Sequence, residues 1–334
     1  MASSSISKAE KSYIQAGLLA NPPRRADGRS LHDFRAISLE TGVAPLSNGS
    51  ARLRIGGNPH DGSGGTDILA AVKLEVESIQ GDALDGGRIA CNVSCSPSAY
   101  SHLSSGALED LQYDLTMVLH QTLSHPSLHP KNLGIIPRKK SWLLNLDLLI
   151  TADAGNIYDA LFLAARAALW DTKVPRTRSV EYKSPKTLSS ASGDMDIDQD
   201  TTSGFDTRNV AHATDFELPD YWDEGEILEG RERWPAAITL NLVNTVHFLD
   251  ATLHEEASCA SRLLVVHSYE SPTSPTVQSI RLLGSDELSI PHLKNLIKEA
   301  ESYTKAMVTS LTAKLEDENF RRNQKARERF GKRK

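Results

Sequence analysis

Four groups of residues in this chain have types and spacings that invite a chemical reading, and each has a plainer reading beside it. His254-Glu255-Glu256 offers three metal-ligating side chains in a row. Consecutive residues on a helix point in different directions and no second His follows at i+4, so the triplet reads as an exposed acidic helix start. Such carboxylates suit an Arg or Lys on a neighbouring subunit. Asp147 and Asp153 flank one apolar strand and resemble an acid/base couple. On an extended strand they share a face but stand ~20 Å apart, too far to act on one bond, so Asp153 reads as the residue that orders the turn at Gly155. GGNPHDGSGG (56–65) is glycine-rich, yet its spacing fits neither a Walker loop nor a dinucleotide fingerprint, and an enlarged hairpin loop is expected. Cys91 and Cys95 lack zinc-knuckle spacing and, with Cys259, read as buried thiols of a reducing compartment. Neither a metal nor a cofactor is expected.

The basic residues point elsewhere. Arg52 and Arg54 alternate on one strand face, and Arg138, Lys139 and Lys140 cluster in a loop. Both sets are candidates for contact with RNA phosphates, set against ordinary solvated charge. Interleaved aromatics of an RNA-recognition signature are missing, which argues against sequence-specific readout. The net charge of −6 conceals an asymmetry: residues 194–232 carry −11 and residues 320–334 carry +7, leaving the remainder near −2. The basic end suits nucleic-acid contact, a nuclear import signal or plain solvation.

The elements that must position these groups follow from periodicity. Ser7 and Glu10 have capping-box spacing and open a short amphipathic helix, broken by Asn21-Pro22-Pro23. Residues 36–153 are mostly strand-like, interrupted by a helical stripe from about 105 to 123. SWLLNLDLLITAD (141–153) is so continuously apolar that both its faces are expected to be covered. AGNIYDALFLAARAALW then reads as a buried, Ala-rich helix. Residues 183–235 lose periodicity and read as a disordered acidic insert, although Trp222, Ile227, Leu228 and Trp234 have the character to dock on a surface. Strands return at 238–250, 261–268 and 276–284, followed by a long amphipathic helix over 291–315. Strands then helices, seen twice, predict an α+β chain of two related halves. No apolar run reaches eighteen residues and the opening has no apolar signal core, so an intracellular chain without membrane spans is expected.

Several segments in order resemble the ribonuclease PH family: DGRSLHDFR (27–35), NGSARLRIGG (48–57), TDILAAVKLEV (66–76) and ADAGNIYDALFLAARAAL (152–169). LDATLHEEASCASRLLVV (249–266) and ISKAEKSYIQAG (6–17) bring the resemblance nearest to that family's inactive ring subunits in the eukaryotic RNA exosome. The resemblance implies the ribonuclease PH fold, with two ββαβ-type halves like the second domain of ribosomal protein S5. The resulting division is an N-terminal helix and linker at 1–26, a first domain at 27–182, the insert at 183–235, a second domain at 236–316 and a basic tail at 317–334. It implies partners: homologous subunits in a six-membered ring, RNA-binding cap subunits, a separate catalytic nuclease and single-stranded RNA threaded to it for rRNA processing and RNA decay. It also implies residence in nucleus, nucleolus and cytoplasm.

Phosphorolysis needs orthophosphate held in line with the scissile bond and cations for the developing charge. Active relatives place a hydroxyl residue and an Arg at the start of the helix after the Asp-x-Gly turn; Asn156 and Ile157 stand there in this chain. The segment where they carry an arginine pair, SCSPSAYSHLSSG (94–106), has neither Lys nor Arg. Their two spaced aspartates correspond to Glu256 and Arg262. These departures imply a non-catalytic subunit; the alternative is an active phosphate-dependent 3′→5′ exoribonuclease.

Overall fold

The capping box forms as its spacing predicts. The Glu10 N–H donates to the Ser7 hydroxyl at 3.2 Å and the Ser7 N–H to the Glu10 carboxylate at 2.9 Å, opening α1 (Lys8–Leu19). This computed structural model describes residues 6–57, 64–79, 87–180, 183–185, 208–210, 215–218, 225–271, 274–285 and 287–331.

The first half is built on β1 (Ile37–Thr41), β2 (Gly49–Gly56), β3 (Gly65–Ser78), β4 (Arg88–Cys95), α2 (Ser105–Leu123), β5 (Gly134–Ile136), β6 (Lys140–Ala152) and α3 (Ile157–Asp171). Its sheet has the order β1-β2-β3-β6-β4, with β5 on the end of β6. Only β4 and β6 run parallel, an arrangement that needs the crossover α2 supplies. The β2–β3 hairpin pairs Gly56 with Gly65, as a hairpin reading requires; most of its loop, 58–63, lies outside the described residues.

Every residue from Ile157 to Trp170 is buried, as expected of a helix that is apolar on all sides. α3 is the shared middle layer: β2, β3 and β6 cover one side, and a strand of the second half covers the other. Its run of alanines (Ala160, Ala164, Ala165, Ala167 and Ala168, all 0% exposed) lets both sheets approach the helix closely.

Three short ladders join the halves: β7 (Lys173–Val174), β8 (Arg178–Val180) and β9 (Lys183–Pro185) pair with β12 (Glu226–Ile227), β11 (Asp215–Glu217) and β10 (Arg208–Val210). The second half has β13 (Ala236–Val243), β14 (Val246–Phe248), α4 (Leu253–Ser258), β15 (Ser261–Ser271), β16 (Ser274–Gly284) and α5 (Ile290–Gly331). Its antiparallel sheet runs β14-β13-β15-β16. Leu296 and Ala300 of α5 pack on Ile238, Leu240, Leu263 and Val265. Strands followed by helices, twice, make the α+β architecture expected of the chain.

Three expectations need correction. β6 is covered on one face only: Leu144, Leu146, Leu148 and Ile150 are buried, but Asp147 is exposed and Leu149 is 39% exposed. α3 packs on the covered face, and α2 packs on the neighbouring β4. The segment 183–235, expected to be disordered, has structure in its described residues. Described parts of it pair as strands, and its end joins the core, with Leu228 and Trp234 each 1% exposed and the buried Arg166 guanidinium bonding the Glu232 and Trp234 carbonyls. Ile227 stays exposed, and Trp222 lies outside the described residues. Finally, α5 does not stop near 315. The i,i+4 pairs Lys314–Glu318 and Arg321–Asp317 carry it onward, and Arg322 ties it to Asp171 at the end of α3.

Candidate functional site

After β6 the chain turns through Asp153, Ala154 and Gly155 into α3. Asp153 orders this turn, accepting the Gly155 N–H at 2.8 Å. Gly155 has φ +95°, and a Cβ there would lie 2.4 Å from the Ala251 carbonyl oxygen, so only glycine lets the turn press against the entry to α4. Asn156 follows as the N-cap of α3 at φ 61°, a left-handed conformation that Asn tolerates. Asp147, exposed near Asn92 on the sheet, takes no part.

α4 begins with its own capping box, in which Glu255 and Thr252 satisfy each other. The two glutamates of the triplet then diverge. Glu255 is buried and receives Arg25 at 2.7 and 2.9 Å. Glu256 points to the other side and is half-buried. His254 is exposed and meets neither. This corrects the exposed acidic cluster: both carboxylates are bound within the chain. A metal-capable grouping of His, Cys, Asp or Glu is absent among the described residues.

The side of α4 that Glu255 faces is sealed. Arg29 reaches the Asp250 carboxylate at 2.9 Å, Arg35 reaches it at 2.7 Å, and Arg25 also bonds the Leu249 and Asp250 carbonyls. Burial pushes the Asp250 carboxyl upward, but Arg35 and Arg29 outweigh it and hold the group below its ordinary value. The DGR segment of the N-terminal region is thereby locked to the second half. Asn156 belongs to this cluster too: its side-chain amide donates to Asp250 at 3.1 Å and is buried.

The side that Glu256 faces is a cavity of about 260 Å³. Its walls come from the loop around Tyr100, from α2, from the start of α3, from α4 and from Arg262 at the start of β15. Two of its groups, Asp153 and Glu256, are carboxyls. Arg262 is the one Lys or Arg lining it among the described residues, and its guanidinium lies 2.7 Å from Glu256. The other Glu256 oxygen accepts the backbone N–H of Asn156 at 2.7 Å. One carboxylate therefore occupies both the N-terminal end of α3, where an anion is favoured, and the one guanidinium that lines the cavity among the described residues. Burial raises the Glu256 pKa, and Arg262 and the Asn156 N–H oppose that rise. Ile157 adds only an apolar wall. Tyr100 and Tyr158, which sequence patterns did not flag, complete the polar rim: their hydroxyls donate to Asp153 at 2.8 Å and to Asp114 at 2.9 Å. Both phenols are raised, by burial first and then by those carboxylates. Cys259, pushed up to about 12 by burial, is no nucleophile. Cys91 and Cys95 are buried thiols, as expected.

The candidate RNA contacts do not form one patch. Arg52 and Arg54 both pair with Asp67, at 2.6 and 3.3 Å, at the end of the sheet nearest the cavity. Lys140 pairs with Asp215 at 3.0 Å and lies beside Arg138 and Lys139 at the opposite end. Between Asp67 and Ser78, which marks the Lys140 end, β3 spans about 35 Å at ~3.3 Å per residue.

Residues 33–175 match the 3′ exoribonuclease family, domain 1 (RNase_PH). The exosome complex component Rrp42 of Methanothermobacter thermautotrophicus is 35% identical over 47% of the chain, and the chain spans only 55% of that relative's length. The putative exosome complex exonuclease RRP42 of Dictyostelium discoideum is 26% identical over 88% of this chain and 93% of its own. Among solved structures, a chain of the Archaeoglobus fulgidus exosome with RNA bound to the active site superposes with a TM-score of 0.63 at 20% identity, covering 92% of this chain and 97% of that one. The archaeal exosome core superposes at 0.62 with 18% identity, over 91% and 96%.

Proposed function

We propose, from a chain that has the ribonuclease PH fold and carries that family's first domain at residues 33–175, that it is a non-catalytic subunit of an RNA exosome ring. With homologous subunits it frames the channel that delivers single-stranded RNA to a separate 3′→5′ nuclease, under RNA-binding cap subunits, for rRNA processing and RNA decay. Nucleus, nucleolus and cytoplasm are the compartments this role requires. Among the described residues no helix is long and apolar enough to cross a membrane.

One observation carries the non-catalytic part. Glu256 holds both the Asn156 N–H and the Arg262 guanidinium, the two donors that orthophosphate would need at the start of α3. A dianionic phosphate would have to displace a tethered carboxylate and then sit beside Asp153 as well. With a single arginine against two carboxyls, the electrostatic balance opposes it. The reaction's essential co-substrate has no place to bind, and the chain's contribution is architectural.

RNA contact is assigned to phosphates alone, through Arg52, Arg54, Arg138, Lys139 and Lys140, because a channel must accept every sequence. Arg54, with its side chain 48% exposed, is the most available of the described ion-paired residues of this set.

A phosphorolysis assay on short oligo(A), with the chain alone and paired with a homologous ring subunit, tests the proposal. No phosphate-dependent release of nucleoside diphosphate is expected from this chain. Release that vanishes in Glu256→Ala would instead identify an active exoribonuclease, the activity that the Dictyostelium relative's name carries.

A further inference from the structure

A cavity that has lost its fit to phosphate still has a chemical character, and the hydrogen-bonding inventory of its wall defines it. The Tyr100 hydroxyl has its proton directed at Asp153, and the Tyr158 hydroxyl has its proton directed at Asp114. Each phenolic oxygen is therefore left with lone pairs and no donor. Asp153 and Glu256 are acceptors throughout. Each of their four oxygens already takes one hydrogen bond, from Gly155, Tyr100, Asn156 and Arg262, and retains a further lone pair. The side-chain donors on the wall are Arg262, which is turned to Glu256, and the His102 ring. Leu111, Leu115, Ile157 and Leu253 add apolar surface to the same wall. The space is about 260 Å³, just below the ~300–1,000 Å³ of small-molecule sites, so one long side chain or a small diamine is the size it admits.

We propose that this cavity binds an alkyl cation: a guanidinium or primary ammonium on an apolar stem, its donors directed at Asp153, Glu256 and the two phenolic oxygens and its stem along the leucines. This rests on the reading that the phosphate site is lost, and it names what replaced it. The cation has two sources, a free amine or an Arg or Lys side chain of a neighbouring protein, and the same chemistry serves both.

Isothermal titration of the full chain with agmatine, a blocked Gly-Arg-Gly peptide and inorganic phosphate tests it in three arms. Agmatine or the peptide is expected to bind with a Kd of millimolar or tighter. Preference for agmatine identifies a free amine, and preference for the peptide identifies a side-chain ligand. Asp153→Asn is expected to weaken binding at least tenfold. Because Asp153 also orders a turn, Ala257→Leu provides a second variant that fills the cavity from α4 without changing charge, and it is expected to weaken binding as much. Binding that survives Ala257→Leu overturns the site. Silence in both cation arms overturns the proposal and leaves the non-catalytic reading standing, whereas phosphate binding to the native chain overturns both.

Discussion

The two sides of α4 use the same chemical groups to opposite ends. On one side three arginines meet two carboxylates, and every charge is enclosed and paired: Arg25 with Glu255, Arg29 and Arg35 with Asp250. On the other, two carboxyls line an open cavity and one arginine pairs with Glu256. Adjacent residues of one short helix, Glu255 and Glu256, feed these two regions. The contrast teaches that guanidinium groups are not scarce at this junction. Three of them are committed to holding the N-terminal segment against the second half, and the cavity is left with one arginine against two carboxyls.

The sealed side should govern stability. Asp250→Ala takes from Arg35 its carboxylate and leaves Arg29 with Asp27 alone, and breaking a buried pair in this way costs about 3–5 kcal/mol. Urea denaturation should show a loss of that size; a loss under ~1 kcal/mol would make the cluster incidental.

Behind both sides lies Asp159, fully buried on the first turn of α3. Its carboxyl accepts Thr239 at 2.7 Å, and its second oxygen has no partner. Burial pushes its pKa up to about 7, with Asp250 contributing in the same direction. A raised folded-state value means that folding favours the protonated form. The stabilisation is complete below the unfolded value of about 3.9 and is lost as pH climbs toward 7. Asp159→Asn mimics the neutral group at every pH. Relative to the native chain it should gain on the order of 2–4 kcal/mol at pH 8 and markedly less at pH 5. Thermal melts across that range measure the slope, and a pH-independent difference would contradict the assignment.

The cavity side should respond less. Arg262→Ala removes a guanidinium with 12% of its side chain exposed and should cost about 1–2 kcal/mol by chemical denaturation. It should also raise the pKa of Glu256, readable by NMR titration. The smallest effect belongs to Arg54→Ala, whose exposed pair with Asp67 is worth under ~0.5 kcal/mol. Its readout is RNA affinity of the assembled ring, where the salt slope should fall by about one.

Much of the fold was legible because it rests on local pattern. The Ser7–Glu10 box, the buried Ala-rich α3 and the strand–helix order all follow from spacing and periodicity. So did the role of Asp153, since a turn of Asp-x-Gly has few other uses for the carboxylate. The covering of β6 was misread because an apolar run does not reveal whether helices pack on one face or two. The extent of α5 was misread because its last turns are polar and held by Arg322 on Asp171, a residue far away in sequence. The same limit hid the sealed cluster: Arg25, Arg29 and Arg35 are more than two hundred positions from Asp250 and Glu255, and no spacing rule links them. Asn156, Ile157 and Arg262, the positions at which the resemblance implies a departure from active relatives, were visible in the sequence. That Glu256 closes on the Asn156 N–H and Arg262 together was not, because it depends on how the Gly155 turn meets α4.

The direct test is a crystal of the chain soaked in arsenate, a phosphate analogue with an anomalous signal. An empty anomalous map is expected at the start of α3, with Glu256 still joined to the Asn156 N–H and to Arg262. An arsenate seated on those two donors, with the Glu256 carboxylate swung away, would contradict it.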